Sequence, residues 1–271
     1  MKNFNLIGQN DLNKVKEYCL LNKEEESCGF VYKNRSNILN IYKCKNIASD
    51  PKKYFIINDS DHEKCSYKGE IVSCFHSHVN NRGFSPEDIR QSLKNNLPYL
   101  LYNIKQDKFY YFDAIKYKYY EKYIDIPYRN GITDCWSILN YFYENELNIK
   151  IENMEPGREI YEDEHLWAKL HKEKFGYDPF RMDYELRKDF FKRNNFIKIE
   201  KTKLADLNPY DILFFKHIGD KYPFYGNILL PPGDLILQHI DQKPSKISSL
   251  SPAHFRMIDF ILRNKNFYDN T

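Results

Sequence analysis

Apolar residues recur at helical spacing over residues 9–22, where Leu12, Val15, Tyr18, Cys19 and Leu20 share a face and Asn10 or Asp11 can cap the start. The period then shortens. CGFVY at 28–32 and ILNIYK at 38–43 are strand-length apolar runs separated by the turn residues Lys33-Asn34-Arg35-Ser36-Asn37, and predict a hairpin. EIVSCFHSH at 70–78 reads as a buried strand that ends in polar residues. Ser85-Pro86-Glu87-Asp88 opens a helix, with a serine cap, proline in the first turn and acids where the helix dipole favours them. LPYLLYNI at 97–104 and KFYYFDAI at 108–115 predict two further strands around Lys105-Gln106-Asp107. Together these elements form an α/β unit of one domain's length.

KYKYYEKYIDIP at 116–127 is charged, aromatic and closed by a proline, and predicts a solvated linker. Beyond it, 133–147 is an amphipathic helix opened by Thr133 or Asp134, and helical patterns recur at 158–175 and 183–194. Strands are expected at 211–216, 226–230, 234–240 and 255–263, with Pro231-Pro232-Gly233 as a turn. Helices followed by an antiparallel sheet is the α+β pattern. The chain as a whole is therefore expected to be α+β with two domains, 1–118 and 119–271.

Composition narrows the function classes. In 271 residues, 42% are hydrophobic and 29% charged, so a packed core is expected rather than disorder. Forty-one basic and 38 acidic residues give a net charge of +3, too balanced to predict a nucleic-acid or membrane surface. No apolar run approaches the ~20 residues of a membrane span. The first twenty residues are broken by Asn, Asp and Lys, so Sec-type export is not expected, and synthesis in a reducing cytoplasm is. Tyr (23) and Phe (19) are abundant while Gly (10) is scarce, a bias that AT-rich codons explain before function does. The six cysteines form no CxxC pair or regular framework, which predicts free thiols.

His76-Ser77-His78, followed after six residues by Ser85-Pro86-Glu87-Asp88, is the most informative spacing in the chain. Histidines at i and i+2 on a strand point to one face and can reach one ion. An aspartate in the first turn of the next helix can supply a third ligand. An HxH pair alone is usually just strand; the SxxD at this distance is what changes the reading. Three N/O ligands leave a tetrahedral zinc with an open position, where a water is acidified to a pKa near ~7. Such chemistry needs a base to take and return the proton, and Glu26 is a candidate that chain order alone does not select.

Asp134-Cys135-Trp136 places a thiol at a helix start, where the dipole favours a thiolate. With a histidine in reach such a thiol is a nucleophile; without one it is an ordinary cysteine. His62, His165, His171 and His254 sit in polar or amphipathic contexts that suggest no role.

Two family resemblances rest on these residues. Glu26-Ser27-Cys28-Gly29, His76-Ser77-His78 and Ser85-x-x-Asp88 resemble the JAB/MPN (JAMM) metallopeptidase signature, over about residues 10–115. That resemblance implies His76, His78 and Asp88 as zinc ligands, Glu26 as general acid/base, and Ser85 as the donor that steadies a tetrahedral oxyanion. Val79 departs from the proline usual after the second histidine, at a position that is not a ligand. The stretch from Tyr128 to Tyr143, with FFKRNNFIKIEK at 190–201 and LNPYDILFF at 207–215, is similar to the NlpC-type cysteine peptidases that cleave cell-wall peptide stems. It implies Cys135 as nucleophile, Tyr128 as a helper near the oxyanion, and His239 where the family has its third polar residue.

The family's usual histidine is absent from 224–230, which reads Phe-Tyr-Gly-Asn-Ile-Leu-Leu, and His217 is the alternative base. A JAB/MPN domain followed by an NlpC domain is the arrangement of the K-type tail tip assembly proteins of lambda-like phages. The expectation is thus a phage tail tip component with a zinc-dependent amide hydrolase, acting on peptidoglycan or a tail protein, with other tail hub proteins as partners. The competing expectation is a structural tail protein with vestigial sites. A cellular JAB isopeptidase fits the second half of the chain poorly.

Overall fold

The computed structural model describes residues 7–80, 82–129, 131–154, 163–176, 182–200, 203–217, 219–223, 225–231, 233–240 and 243–267. The start of the helix expected at 158–175, together with Asn130, Phe224 and Pro232, lies outside them. The fold is mixed α+β with two sheets. The chain divides into two compact units, Met1–Glu121 and Lys122–Thr271.

In the first unit α1 (Gln9–Leu21) precedes the hairpin β1 (Cys28–Lys33) and β2 (Leu39–Cys44); α2 (Asp59–Lys68), β3 (Glu70–His78), α3 (Pro86–Lys94), β4 (Tyr99–Asn103) and β5 (Lys108–Phe112) follow. The sheet order is β2-β1-β3-β4-β5. β3 is central, antiparallel to β1 and parallel to β4, with α3 as the crossover that a parallel pair requires. Alternation along β3 divides its side chains. Phe75 joins Val15 and Cys19 of α1, Val31, Leu100 and Tyr102 in one core. Cys74, His76 and His78 point the other way. α2 is the element that the apolar pattern does not announce: it buries only Cys65 and is defined by the Asn58 side chain, which accepts from Ser60 N.

In the second unit α4 (Cys135–Leu147), α5 (Glu164–Phe175) and α6 (Tyr184–Arg193) come first, followed by β6 (Phe196–Ile199), β7 (Ile212–Phe215), β8 (Tyr225–Leu230), β9 (Leu235–Gln238), β10 (Lys246–Ser249), α7 (Pro252–Met257) and β11 (Ile258–Asn264). The sheet, ordered β10-β9-β8-β7-β11-β6, is antiparallel throughout. Its two outer strands were not separately expected: β6 (FIKI) and β10 (KISS) carry polar residues within their four positions, whereas the equally short β7 (ILFF) and β9 (LILQ) are near-continuous apolar runs. Phe191, Phe214 and Phe260 pack ring on ring, the last two stacked at 4.4 Å. Gly226 lies beneath α4, where an added Cβ would lie 3.0 Å from the Leu139 methyl.

The expected linker is not a solvated one. Tyr117, Tyr120 and Tyr123 are buried. Tyr117 stacks on Phe112 and Tyr120 in the first unit, while Tyr123 packs on Phe142 and donates to Glu146 in the second. Lysines between the tyrosines made the segment look solvated, but each ring is anchored in the core of its own unit. Among the described residues no helix is long and apolar enough to cross a membrane.

Candidate metal centre and a cysteine at a helix start

The first site follows from register. Cys28 pairs with His76 across β1 and β3, so continuing the antiparallel ladder by two residues sets Glu26 opposite His78. Two hydrogen bonds hold that continuation: Ser77 N donates to Ser27 O, and Ser27 N donates to Ser77 Oγ, both at 2.9 Å. Glu26 N donates to Pro51 O, and Asn46 Nδ2 donates to Glu26 O. The glutamate that chain order could not select is thus placed by strand pairing.

Asp88 arrives from α3. The Ser85 hydroxyl accepts from Asp88 N at 3.1 Å, and Ser85 N donates to Asp88 Oδ2 at 2.7 Å, a reciprocal capping box that fixes the carboxylate in the first turn. His76 Nε2 lies 3.4 Å from Asp88 Oδ1, and His78 Nε2 lies 3.4 Å from Asp88 Oδ2. Glu26 Oε1 stands 3.7 Å from His78 Nε2. His76 is fully buried, walled by a stacked Phe55 ring at 4.6 Å and by Tyr99 and Phe84. His78 Nδ1 meets the Arg82 carbonyl at 3.3 Å.

These residues fit a zinc ion. Both nitrogens of His76 and Oε1 of Glu26 are buried without a hydrogen-bond partner, an arrangement that costs about 1–3 kcal/mol per group if nothing else compensates. Single donor atoms of His76, His78 and Asp88 all lie within 4.8 Å of one another. With bonds of ~2.1 Å, neighbouring ligand atoms on a tetrahedron stand ~3.4 Å apart. Each histidine stands at that spacing from one oxygen of Asp88, His76 from Oδ1 and His78 from Oδ2.

The electrostatics follow from burial and three close charges. Burial opposes ionisation of Asp88, but the two imidazoles outweigh it and hold the carboxyl well below its usual range. Burial lowers His76 despite the pull of Asp88. Burial also works against charge on His78, but Asp88, Glu26 and the Arg82 carbonyl together raise it. Glu26 is pushed up to about 7, chiefly by burial, with His78 opposing and Asp88 adding to the shift. A carboxyl poised there can both take and return a proton near neutral pH.

The second site is differently built. Asp134 caps α4: Oδ1 accepts from the Ser137 amide and hydroxyl, and Oδ2 accepts from Gly131 N, each at 2.9 Å. Cys135, partly exposed, is the first residue of the helix. His239, 1% exposed just beyond β9, meets the Tyr128 ring edge-on at 5.3 Å. Burial lowers its pKa, against the Asp134 carboxylate and the main chain at Asp134 and Lys243. The structure thus brings Tyr128, Asp134 and His239 together at the start of α4. His217 is exposed and bonds the Tyr225 hydroxyl on the neighbouring strand.

Phe55, Arg82 and Asn103, around the His76–His78–Asp88 cluster, are residues that sequence reasoning missed. No spacing flags a stacking ring or a main-chain acceptor. The other histidines pack locally: His62 against Phe30, His171 between Trp167 and Phe175, and His254 in the cap of α7, while His165 is exposed.

No protein-family profile matches the chain, and no curated protein matches it. Among solved structures the chain is similar to an NlpC/P60 family protein from Bacillus cereus ATCC 10987, at 12% identity and a TM-score of 0.27. The match covers 95% of this chain and 66% of that one.

Proposed function

We propose that the first unit is a zinc-dependent amide hydrolase and that the chain serves a phage tail tip, in tail assembly or cell-wall penetration. The observation that supports the hydrolase reading is the convergence of His76, His78 and Asp88 with a buried Glu26 at 3.7 Å. Zinc, when bound, supplies Lewis acidity and an activated water at neutral pH. The chain's own residues do the rest. Glu26 Oε1 takes a proton from the attacking water and hands it to the leaving amine. A hydroxyl that accepts one hydrogen bond still has its O–H to give, so Ser85 can cap α3 and donate to a developing oxyanion. The capping box holds Asp88 so that it does not swing away, and the Phe55, Phe84 and Tyr99 rings keep bulk water from His76.

For the second unit we propose an NlpC-like fold whose cysteine chemistry is degenerate, on the motif around Cys135 and the absence of a histidine from 224–230. Peptidoglycan or a tail protein would be the substrate, and tail hub proteins the partners. The test is metal analysis of the purified protein, followed by free-amine release from purified sacculi and from tail proteins. One zinc per chain with release that Glu26→Gln abolishes is the expected result. Release lost in Cys135→Ala instead would move the chemistry to the second unit. Zinc-free protein that releases nothing would leave a structural tail protein.

A further inference from the structure

We propose that Asn103 is a positioning residue for His78, setting which imidazole nitrogen faces the metal centre; the inference rests on the zinc reading above. Asn103 is the last residue of β4 and lies beside His78 in the parallel β3–β4 ladder. Its side chain is fully buried, and its hydrogen bonds go to main chain. Nδ2 donates to Asn80 O at 2.8 Å and to Arg82 O at 2.7 Å, while Oδ1 accepts from Gln106 N at 2.9 Å. The amide therefore ties two carbonyls of the segment after β3 to the end of β4.

One of those carbonyls does a second job. Arg82 O also meets His78 Nδ1 at 3.3 Å. A carbonyl can only accept, so the proton of a neutral His78 belongs on Nδ1. That leaves the Nε2 lone pair facing Asp88 Oδ2 and Glu26 Oε1, the side on which the donor atoms converge. Without Asn103 the Arg82 carbonyl has no side-chain anchor, and His78 is free to turn or to carry its proton on Nε2, where it cannot ligate. Outer contacts of this kind are worth about 10- to 100-fold in metal affinity. Asn103 has no charge, and its side-chain hydrogen bonds run to the main chain of Asn80, Arg82 and Gln106. Its effect passes through the carbonyl, which distinguishes it from the ligands.

The test pairs a tautomer readout with metal affinity. In metal-free protein with 15N-labelled histidine, at a pH above the imidazole range, the ring-nitrogen shifts of His78 report which nitrogen bears the proton. Wild type is expected to show the Nδ1–H form, and an Nε2–H form would overturn the proposal even if every variant misfolds. Asn103→Asp keeps the size and the Oδ1 acceptor for Gln106 but has no N–H to give; Asn103→Leu removes both functions. Each should lose the tautomer preference and weaken zinc about 10- to 100-fold in a chelator competition. The visible spectrum of the cobalt-substituted protein should change with it. Native-like near-ultraviolet dichroism with unchanged tautomer and affinity would overturn the proposal. Wild type with the expected tautomer but no zinc binding would instead sink the hydrolase reading and leave the Asn103 geometry standing.

Discussion

The two units each bury a histidine close to a carboxylate, yet among the described residues only the first gathers a cluster that could hold a metal ion. In the first, His76, His78, Asp88 and Glu26 come from β3, α3 and the lead-in to β1, and the imidazole and carboxylate atoms stand 3.4–3.7 Å from one another in the pairs His76–Asp88, His78–Asp88 and His78–Glu26. In the second, the Asp134 carboxylate is already committed to Gly131 and Ser137, and His239 is held against an aromatic ring. Both nitrogens of His239 lack a well-formed hydrogen bond, just as those of His76 do. An orphaned buried nitrogen is therefore not enough. What separates the two is that donor atoms of three residues, His76, His78 and Asp88, gather within 4.8 Å of one another in the first.

The sharpest break of this comparison is catalytic. Glu26→Gln should lower amide hydrolysis by about 10²- to 10⁴-fold, the range for removing a positioned acid/base, whereas Cys135→Ala and His239→Gln should leave the rate within about twofold. Single-turnover assays on sacculi or tail protein measure both. Equal losses in Glu26→Gln and Cys135→Ala would erase the distinction between the units.

Zinc should also stabilise unequally. At a free concentration about 1,000 times its dissociation constant, a ligand specific for the folded state adds about 4 kcal/mol. Hydrogen exchange followed by mass spectrometry should show slower exchange over β3 and α3 on adding zinc, and no change over α4 and β8. His78→Ala should abolish that protection. Protection spread evenly over both units would argue against a centre confined to the first.

Backbone packing offers a matched pair. An added Cβ at Gly29 would lie 2.3 Å from the Tyr42 carbonyl and 2.6 Å from the Phe75 ring, and the carbonyl cannot yield without disturbing the β1–β2 ladder. At Gly226 the closest atom is a Leu139 methyl at 3.0 Å, which can rotate away. Gly29→Ala should cost about 1–3 kcal/mol and displace Glu26 with the strand; Gly226→Ala should cost less than about 1 kcal/mol. Urea unfolding of the two variants measures the difference.

Much of the first site was legible because its chemistry follows local rules. The i, i+2 pair on a strand and the serine-capped helix start can each be read from a few adjacent residues, and the structure places them as those rules require. Glu26 is far from His76 in sequence, and only the Cys28–His76 register brings it in, which no local pattern encodes. Asn103, Phe55 and the Arg82 carbonyl were silent for the same reason: their roles exist only across strands or through main chain. In the second half the aromatic helices and the apolar central strands were visible in the sequence, while β6 and β10, as short as β7 and β9, are broken by polar residues and did not stand out. The tyrosines of 117–123 misled because the intervening lysines mask buried rings.

The smallest expected contrast comes from the thiols. Cys19, Cys28, Cys44, Cys65 and Cys74 are all buried in the first unit, while the second has the partly exposed Cys135. Burial pushes Cys19 and Cys44 up to about 12 and Cys65 to about 11, and raises Cys28 and Cys74 as well. A thiol raised in the folded state stays protonated there after its unfolded counterpart, near ~8.5, has ionised. The folded state then holds more protons than the unfolded one, so stability falls as pH rises. The loss should begin near pH ~8.5 and continue through about 11–12, and it should be borne by the first unit. In native protein at pH ~8, alkylation should mark Cys135 alone, with the other five reacting only after unfolding. Fast labelling of Cys28 or Cys74 would mean that the β3 face beside His76 opens to solvent, and with it the protected setting that distinguishes the first site from the second.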